Sequence, residues 1–107
     1  MISTHILDTA VGDPAANVQV KLEKRVDHDW QLVGEDKTND DGRIAFDCPK
    51  EAGYYRLLFD VEDYYTKQKV ESFYLRVPVV FNITDTSRKY HVPLLLNPFG
   101  YSTYRGS

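Results

Sequence analysis

Apolar and polar residues alternate along most of this chain, as they do on a β-strand that buries one face. In segment 17–25, Val18, Val20 and Leu22 share one face of such a strand, and the residues between them are polar. The same alternation predicts three more long strands, at 54–61, 76–84 and 89–96. It also predicts four shorter strands, at 3–8, 30–36, 43–47 and 101–104. Stretches rich in Gly, Pro, Asn and Asp separate these segments, as is typical of turns. About eight short strands at this spacing predict an all-β fold, an antiparallel β-sandwich of two sheets.

Two features interrupt the alternation. Segment 62–72 lacks it, and we predict a short helix there with Asp63 near its start. Pro78 and Pro93 lie inside predicted strands, and proline has no N–H to donate to a neighbouring strand. We therefore expect each proline at a sheet edge, at a strand start or at a bulge.

The size and composition of the chain limit the classes of protein it can be. Its 107 residues are enough for one hydrophobic core, so residues 1–107 are interpreted as a single domain. A net charge of −3 gives no general attraction for phosphate, so a nucleic-acid partner is not expected. A single cysteine, Cys48, excludes an internal disulfide and a thiolate metal site. Because no segment is long and apolar enough to span a membrane and no leader is recognisable, we expect no membrane partner and a cytoplasmic location, or a periplasmic one if a leader has been removed.

Few residues of the chain can carry catalytic chemistry. The histidines are His5, His28 and His91, and their spacing from one another and from Cys48 does not fit a metal site. His28 lies in a polar hairpin between two aspartates, whereas His5 and His91 each interrupt a predicted strand. Arg43 follows the turn sequence "DDG" and points away from the apolar residues of its short strand. Each of these residues alone is more often structural or solvent-exposed, so the residues by themselves identify no substrate.

Four stretches of the sequence are similar to one enzyme family. They are "STHILDTAVGDPAANVQVKL", "TNDDGRI", "YHVPLLLNPFGYSTYRGS" and, more weakly, "ESFYLRVPVVF". On these stretches, which cover most of its length, the chain resembles the transthyretin-related hydroxyisourate hydrolases. The terminal "YRGS" distinguishes these enzymes from the hormone-carrying transthyretins, which share the fold but lack that ending. The resemblance thus explains an aromatic end that would otherwise be expected to fray.

The resemblance implies a fold, an assembly and a reaction. The family's fold is a transthyretin-like β-sandwich of two sheets with one short helix, assembled as a homotetramer. Its enzymes hydrolyse a cyclic amide bond of 5-hydroxyisourate to give 2-oxo-4-hydroxy-4-carboxy-5-ureidoimidazoline, on the way from urate to allantoin. They use no metal and no organic cofactor.

The resemblance also implies a set of site residues, which in the family meet in a groove between subunits. The matching positions are His5, Arg43, His91, Tyr104, Arg105, Gly106 and Ser107. Hydrolysis of a cyclic amide requires a base for water, a proton for the leaving nitrogen and a donor for the oxyanion. We expect either His5 or His91 to be the base toward water, and the other histidine to orient the reacting groups or to donate a proton. Arg43 is expected to hold the flat anionic substrate or the oxyanion, and Tyr104 to contact the substrate.

Two other functions are compatible with a sandwich of this kind. One is a transthyretin-like carrier that binds an aromatic molecule in a central channel, and the other is a purely structural domain. The two strand histidines, Arg43 and the "YRGS" ending favour the enzyme, because neither alternative needs them together. One position departs from the family pattern: Lys89 stands where a histidine is expected. Since it lies two residues before His91, its ammonium is expected on the same strand face, where it would lower the pKa of that histidine.

Overall fold

Nine strands and one short helix make up the chain in a computed structural model that describes all of residues 1–107. The strands are β1 (Ile2–Asp8), β2 (Asp13–Pro14), β3 (Gln19–Val26), β4 (Asp29–Lys37), β5 (Arg43–Phe46), β6 (Gly53–Asp60), β7 (Arg76–Ile83), β8 (Tyr90–Asn97) and β9 (Gly100–Thr103). The helix α1 (Val61–Lys67) follows β6. All the predicted strands are present. The additional strand, β2, is formed by an Asp and a Pro, residue types that by themselves indicate a turn.

The strands form two sheets that enclose a common core. In the first sheet β1 pairs with β8 and β8 with β9, while the other edge of β1 pairs with β2 at one end and with β5 at the other. The second sheet has the order β4-β3-β6-β7. The predicted all-β sandwich with one short helix is therefore confirmed. Every pair is antiparallel except β1–β8, which is parallel. The alternation does not predict this pair, because its strands come from opposite ends of the chain and no hairpin fixes their relative direction.

The core lies between the sheets and contains 20 buried apolar residues. Strand β1 shows how the alternation fills it, since its buried positions are Ile2, Thr4, Ile6 and Asp8. The positions between them are half-buried on the opposite face, which we call the outer face. Each fully buried aliphatic side chain of such a core contributes about 1.5–3 kcal/mol to folding. The burial of alternate residues therefore directs Ser3 and His5 to the outer face.

Helix α1 is shorter than the predicted segment 62–72. Asp63 lies in its first turn, as predicted, and the N-cap is Asp60, whose Oδ1 accepts a hydrogen bond from the Asp63 backbone N–H at 3.2 Å. The prediction is wrong for the second half of the segment, because the helix ends at Lys67. Two residues later Lys69 has a φ of 59°, in the left-handed region, which a continuing helix does not allow.

Asp8 joins the helix to the first sheet. Its buried carboxylate accepts a hydrogen bond from the Tyr64 hydroxyl at 2.9 Å and another from the Ala10 backbone N–H at 3.0 Å. A buried carboxylate with such donors is stable where an unpaired one would not be. The end of β1 is therefore fixed to α1.

The two strand prolines differ in position. Pro78 lies on β7, the edge strand of the second sheet, as predicted. Pro93 lies in the middle of β8, between β1 and β9 and without a register shift, so the prediction of an edge, a strand start or a bulge is wrong for it. The strand accommodates Pro93 because the β8–β9 ladder ends at Leu94, next to it, and resumes only at an isolated bridge between His91 and Gly106. The missing N–H thus falls where the ladder is already interrupted.

Candidate active site

The outer face of the first sheet brings three of the predicted site residues together. His5 on β1 is the direct cross-strand partner of Arg43 on β5. His91 on β8 lies opposite Ser3 of β1. Because residues two apart on a strand share a face, Ser3 and His5 point to the same side. The two histidines are half-buried and Arg43 is exposed, so all three can be reached from outside the chain.

A cavity of about 260 Å³ opens on this face, and we call it the outer-face pocket. It is lined by residues of β1, β5, β8 and the turn before β5: Ser3, Thr4, Asn39, Arg43, Ile44, Ala45 and His91. His5 is not among the lining residues and lies beside the pocket as the neighbour of Arg43. The volume is close to the lower end of the range for pockets that hold small molecules.

The turn before β5 fixes the place of Arg43. Asn39 Oδ1 accepts hydrogen bonds from the backbone N–H groups of Asp41 and Arg43, both at 3.0 Å. Gly42 has a φ of 73°, and a Cβ there would lie 2.5 Å from the carbonyl oxygen of Ile6. The Ile6 backbone N–H in turn donates to the Gly42 carbonyl oxygen at 2.8 Å. The turn is therefore held tightly against β1, and it directs Arg43 to the pocket.

The guanidinium of Arg43 has no carboxylate partner within the chain. None of the four ion pairs of the chain includes Arg43; they are Lys21–Glu35, Lys24–Glu51, Arg56–Glu23 and Lys67–Asp63. A guanidinium can donate two parallel hydrogen bonds to a planar anionic group. Arg43 is therefore available to bind an anion in the pocket.

His91 has a perturbed pKa. Burial lowers the pKa of His91, and the positive charges of Arg43 and then of His5 lower it further. Its ring Nδ1 lies 2.8 Å from Ser3 Oγ. A histidine with a lowered pKa is neutral at pH 7, so His91 can accept a proton there. The predicted effect of Lys89 on this pKa is wrong, because Lys89 is exposed before the start of β8 and the charges that act on His91 are those of Arg43 and His5.

The tail residues divide between two places. Gly106 lies beside His91, where its backbone N–H donates to the His91 carbonyl oxygen at 2.8 Å. Tyr104 and Arg105 instead line a second cavity, of about 220 Å³, together with residues of β7, β8 and β9. Ser107 is exposed and lines neither cavity. Within one chain, Gly106 is therefore the tail residue that contacts the surroundings of His91.

Ser3 and Asn39 belong to the site, although the sequence patterns assign neither of them a role. Ser3 has a recognisable signal, since it lies two residues before His5 on the same strand face. Asn39 has one as well, because an Asn that opens an "NDDG" sequence is typical of a turn closed by its side chain. The contact between Ser3 and His91 has no signal in the sequence, because it depends on how the two ends of the chain pair.

The structure has neither a metal-binding cluster nor a membrane-spanning helix. It contains no group of three or more His, Cys, Asp or Glu side chains that could hold a metal ion. Its helix is too short to cross a membrane. Cys48 is unpaired and half-buried.

Two solved structures have the same fold as this chain. The 5-hydroxyisourate hydrolase of Klebsiella pneumoniae superposes with a TM-score of 0.87 at 36% sequence identity, covering 99% of this chain and 98% of that one. A sea bream transthyretin in complex with thyroxine superposes with a TM-score of 0.91 at 32% identity, covering 98% of this chain and 93% of that one. The fold is thus that of the transthyretin-like β-sandwiches, and it does not by itself separate a hydrolase from a carrier.

The family follows from the sequence comparison. A model of the HIUase/Transthyretin family matches residues 2–106. A probable 5-hydroxyisourate hydrolase of Caenorhabditis elegans is 48% identical over 109 residues, which cover 99% of this chain and 81% of that protein. The chain belongs to the HIUase/Transthyretin family.

Proposed function

We propose that this chain is an enzyme that hydrolyses 5-hydroxyisourate. It opens the six-membered ring at a cyclic amide bond and gives 2-oxo-4-hydroxy-4-carboxy-5-ureidoimidazoline. The relatives named as hydrolases of this compound support the substrate. The main support for the proposal is that two residues line the same pocket: His91, which is a neutral base, and Arg43, whose guanidinium is free.

The lowered pKa of His91 supports a role as general base. Its Nε2 takes a proton from a water molecule while the water oxygen bonds to the amide carbonyl carbon. The carbon–nitrogen bond of the ring then breaks, and the leaving nitrogen receives a proton from His91 or from His5. A base that is unprotonated at neutral pH is ready for the first of these steps without a prior proton loss.

The free guanidinium of Arg43 supports the binding of a flat, oxygen-rich anion. Its planar fork of donors can hold two substrate oxygens, and its charge can stabilise the oxyanion as the carbonyl carbon becomes tetrahedral. We propose no cofactor for the reaction, since water, a base, a proton donor and a guanidinium supply the groups that hydrolysis requires.

We also propose that the chain assembles as a homotetramer with its sites at subunit interfaces. Strands β7 and β9 are sheet edges, which leave backbone hydrogen-bonding groups unpaired. Large apolar side chains are exposed on and near these edges: Phe73, Leu75, Val80, Phe99, Tyr101 and Tyr104. Such a surface favours burial against another copy of the chain. Because Tyr104 and Arg105 do not line the outer-face pocket of their own chain, their contact with substrate requires the pocket of a neighbouring subunit.

The proposal is tested by the decay of the substrate itself. Oxidation of urate generates 5-hydroxyisourate in solution, where its ultraviolet absorbance falls spontaneously, and the protein should accelerate that fall. Light scattering after gel filtration should give a mass near four times the 12.4 kDa of one chain. An unchanged decay rate together with tight binding of an aromatic ligand such as thyroxine would overturn the enzyme in favour of the carrier.

A further inference from the structure

The His91 ring is held by strand β1 on one side and by the C-terminal tail on the other. On the β1 side its partner in the pairing is Ser3, whose Oγ lies 2.8 Å from His91 Nδ1. This distance is typical of a hydrogen bond to a hydroxyl. A hydroxyl carries no charge, so the contact orients the ring without favouring the protonated form as a carboxylate would.

Gly106 covers the opposite edge of the ring. Its backbone N–H donates to the His91 carbonyl oxygen at 2.8 Å, which brings the tail alongside the ring. A Cβ at position 106 would lie 2.7 Å from His91 Cδ2 and 3.3 Å from Pro93 Cγ. Carbon atoms in favourable contact are about 3.5–4.0 Å apart, so any side chain here would displace the ring or the tail. The tail can lie against His91 only because residue 106 is a glycine.

We propose that Ser3 and Gly106 are positioning residues that hold the His91 ring in one orientation, with Nε2 directed to the outer-face pocket. The inference rests on the proposed function, in which Nε2 takes the proton of water. With Nδ1 bonded to Ser3 and the Cδ2 edge against Gly106, Nε2 is the ring nitrogen left free. In the active tautomer Nδ1–H donates to Ser3 Oγ and Nε2 carries the lone pair. When a proton arrives at Nε2, the imidazolium still donates from Nδ1 to Ser3, so this bond persists through the proton transfer.

The role of Ser3 is tested by Ser3→Ala, with Ser3→Thr as the conservative variant that keeps the hydroxyl. Loss of one hydrogen bond should lower kcat about tenfold and leave KM nearly unchanged, because the ring is no longer held in the active orientation. Ser3→Thr should recover most of the rate. Ser102→Ala is the matched control, since Ser102 is an exposed serine on β9 of the same sheet.

The role of Gly106 is tested by Gly106→Ala, with Gly100→Ala as the control. A Cβ at position 100 would lie 3.8 Å from the nearest side-chain atoms of Asn97, an ordinary contact. Gly106→Ala should therefore lower kcat and change the His91 ring environment, whereas Gly100→Ala should do neither.

Nitrogen-15 NMR of the His91 ring, recorded without substrate, measures the orientation directly. The wild-type protein should show the Nδ1–H tautomer, and Ser3→Ala should shift both ring nitrogen signals toward a mixture of the two tautomers. Wild-type ring signals and kcat in Ser3→Ala would overturn the role of Ser3, and equal effects of Gly106→Ala and Gly100→Ala would overturn that of Gly106. If the wild-type protein does not hydrolyse 5-hydroxyisourate, the proposed function fails, while the NMR spectra still decide whether the ring is held.

Discussion

His5 and Arg43 lie directly opposite each other in the antiparallel pair of β1 and β5. The same strand β1 aligns Ser3 with His91 on β8, so one strand sets the relative positions of all four side chains. The charges of Arg43 and His5 therefore act on His91, in addition to its burial. The site is built on strands of the sandwich, which hold side chains more rigidly than loops do.

The pKa of His91 should rise when Arg43 is replaced by Gln. Burial is the largest cause that lowers this pKa and the charge of Arg43 the next, so Arg43→Gln removes only part of the effect. Proton NMR titration of the His91 ring should give a midpoint below the usual value of about 6.5 in the wild-type protein and a higher midpoint in Arg43→Gln. Arg76→Gln, a change of an exposed arginine on the other sheet, should leave the midpoint where it is.

The same pKa sets the direction of two pH effects. The pKa of His91 is lower in the native protein than in the unfolded chain, so at pH values between these two pKa values the unfolded chain binds more protons. The native state therefore loses stability as the pH is lowered through this range. Protonation also removes the base, so kcat/KM should fall as the pH drops below the native pKa. A wild-type midpoint above the usual histidine value would contradict the stability effect, and a kcat/KM that does not fall below the native pKa would contradict the role of His91 as the base.

Arg43→Lys should weaken substrate binding although it keeps the charge. A lysine lacks the planar fork, and loss of a charge-assisted hydrogen bond should raise KM about 10- to 100-fold. Steady-state kinetics on 5-hydroxyisourate measure the change, and Arg76→Lys is the control for the substitution. Wild-type kinetics in Arg43→Lys would mean that charge alone matters at this position.

Gly42→Ala should destabilise the protein more than Gly12→Ala. Both glycines have φ values in the left-handed region, 73° and 76°, so an alanine at either position carries backbone strain of about 1–2 kcal/mol. At Gly42 the new Cβ would also lie 2.5 Å from the Ile6 carbonyl oxygen, whereas it would meet nothing within 4 Å at Gly12.

Urea unfolding gives the two free energies of unfolding. Gly42→Ala should in addition raise KM, because Arg43 follows directly in the chain. Equal losses of stability in the two variants would show that the turn does not pack against β1 as tightly as the structure indicates.

The fold could be predicted from the sequence where a strand buries one face. Strands β3 and β6 alternate apolar and polar residues along most of their length, and this pattern predicts them within two residues of their ends. Strand β2 could not be predicted, because Asp13 and Pro14 are turn formers that pair only through the approach of β1. The parallel direction of β1–β8 is a long-range choice that no local pattern determines.

The site could be predicted only in part. His5 and His91 are recognisable because each interrupts an apolar alternation, and Arg43 because a "DDG" turn precedes it. The bond from Ser3 to His91 joins residues 88 positions apart and depends on the register of the pair. Gly106 lies beside His91, whereas Tyr104 and Arg105 line the second cavity. This difference depends on how the tail lies along β8, which the composition of the chain does not predict.

Mixed tetramers should regain activity if the tail serves a neighbouring subunit. One chain would carry His91→Ala, and the other would carry Tyr104→Ala with Arg105→Ala. Each protein alone lacks a complete site, but random mixing pairs an intact His91 with an intact tail in about a quarter of the sites. Co-refolding the two variants and assaying the mixture measures the recovery, with each variant refolded alone as the control. No recovery would show that each chain uses its own tail.

The central claim, that His91 is the base of a hydrolytic site, is tested most directly by comparing His91→Ala with His28→Ala. Both remove one imidazole, from the outer face of the first sheet and from an exposed hairpin respectively. The measurement is the initial rate of 5-hydroxyisourate decay at saturating substrate, with the melting temperature of each variant as the check on folding. We expect His91→Ala to lose about 10²–10⁴-fold in kcat and His28→Ala to keep the wild-type rate, both with little change in melting temperature. A folded His91→Ala protein that hydrolyses the substrate at the wild-type rate would contradict the claim.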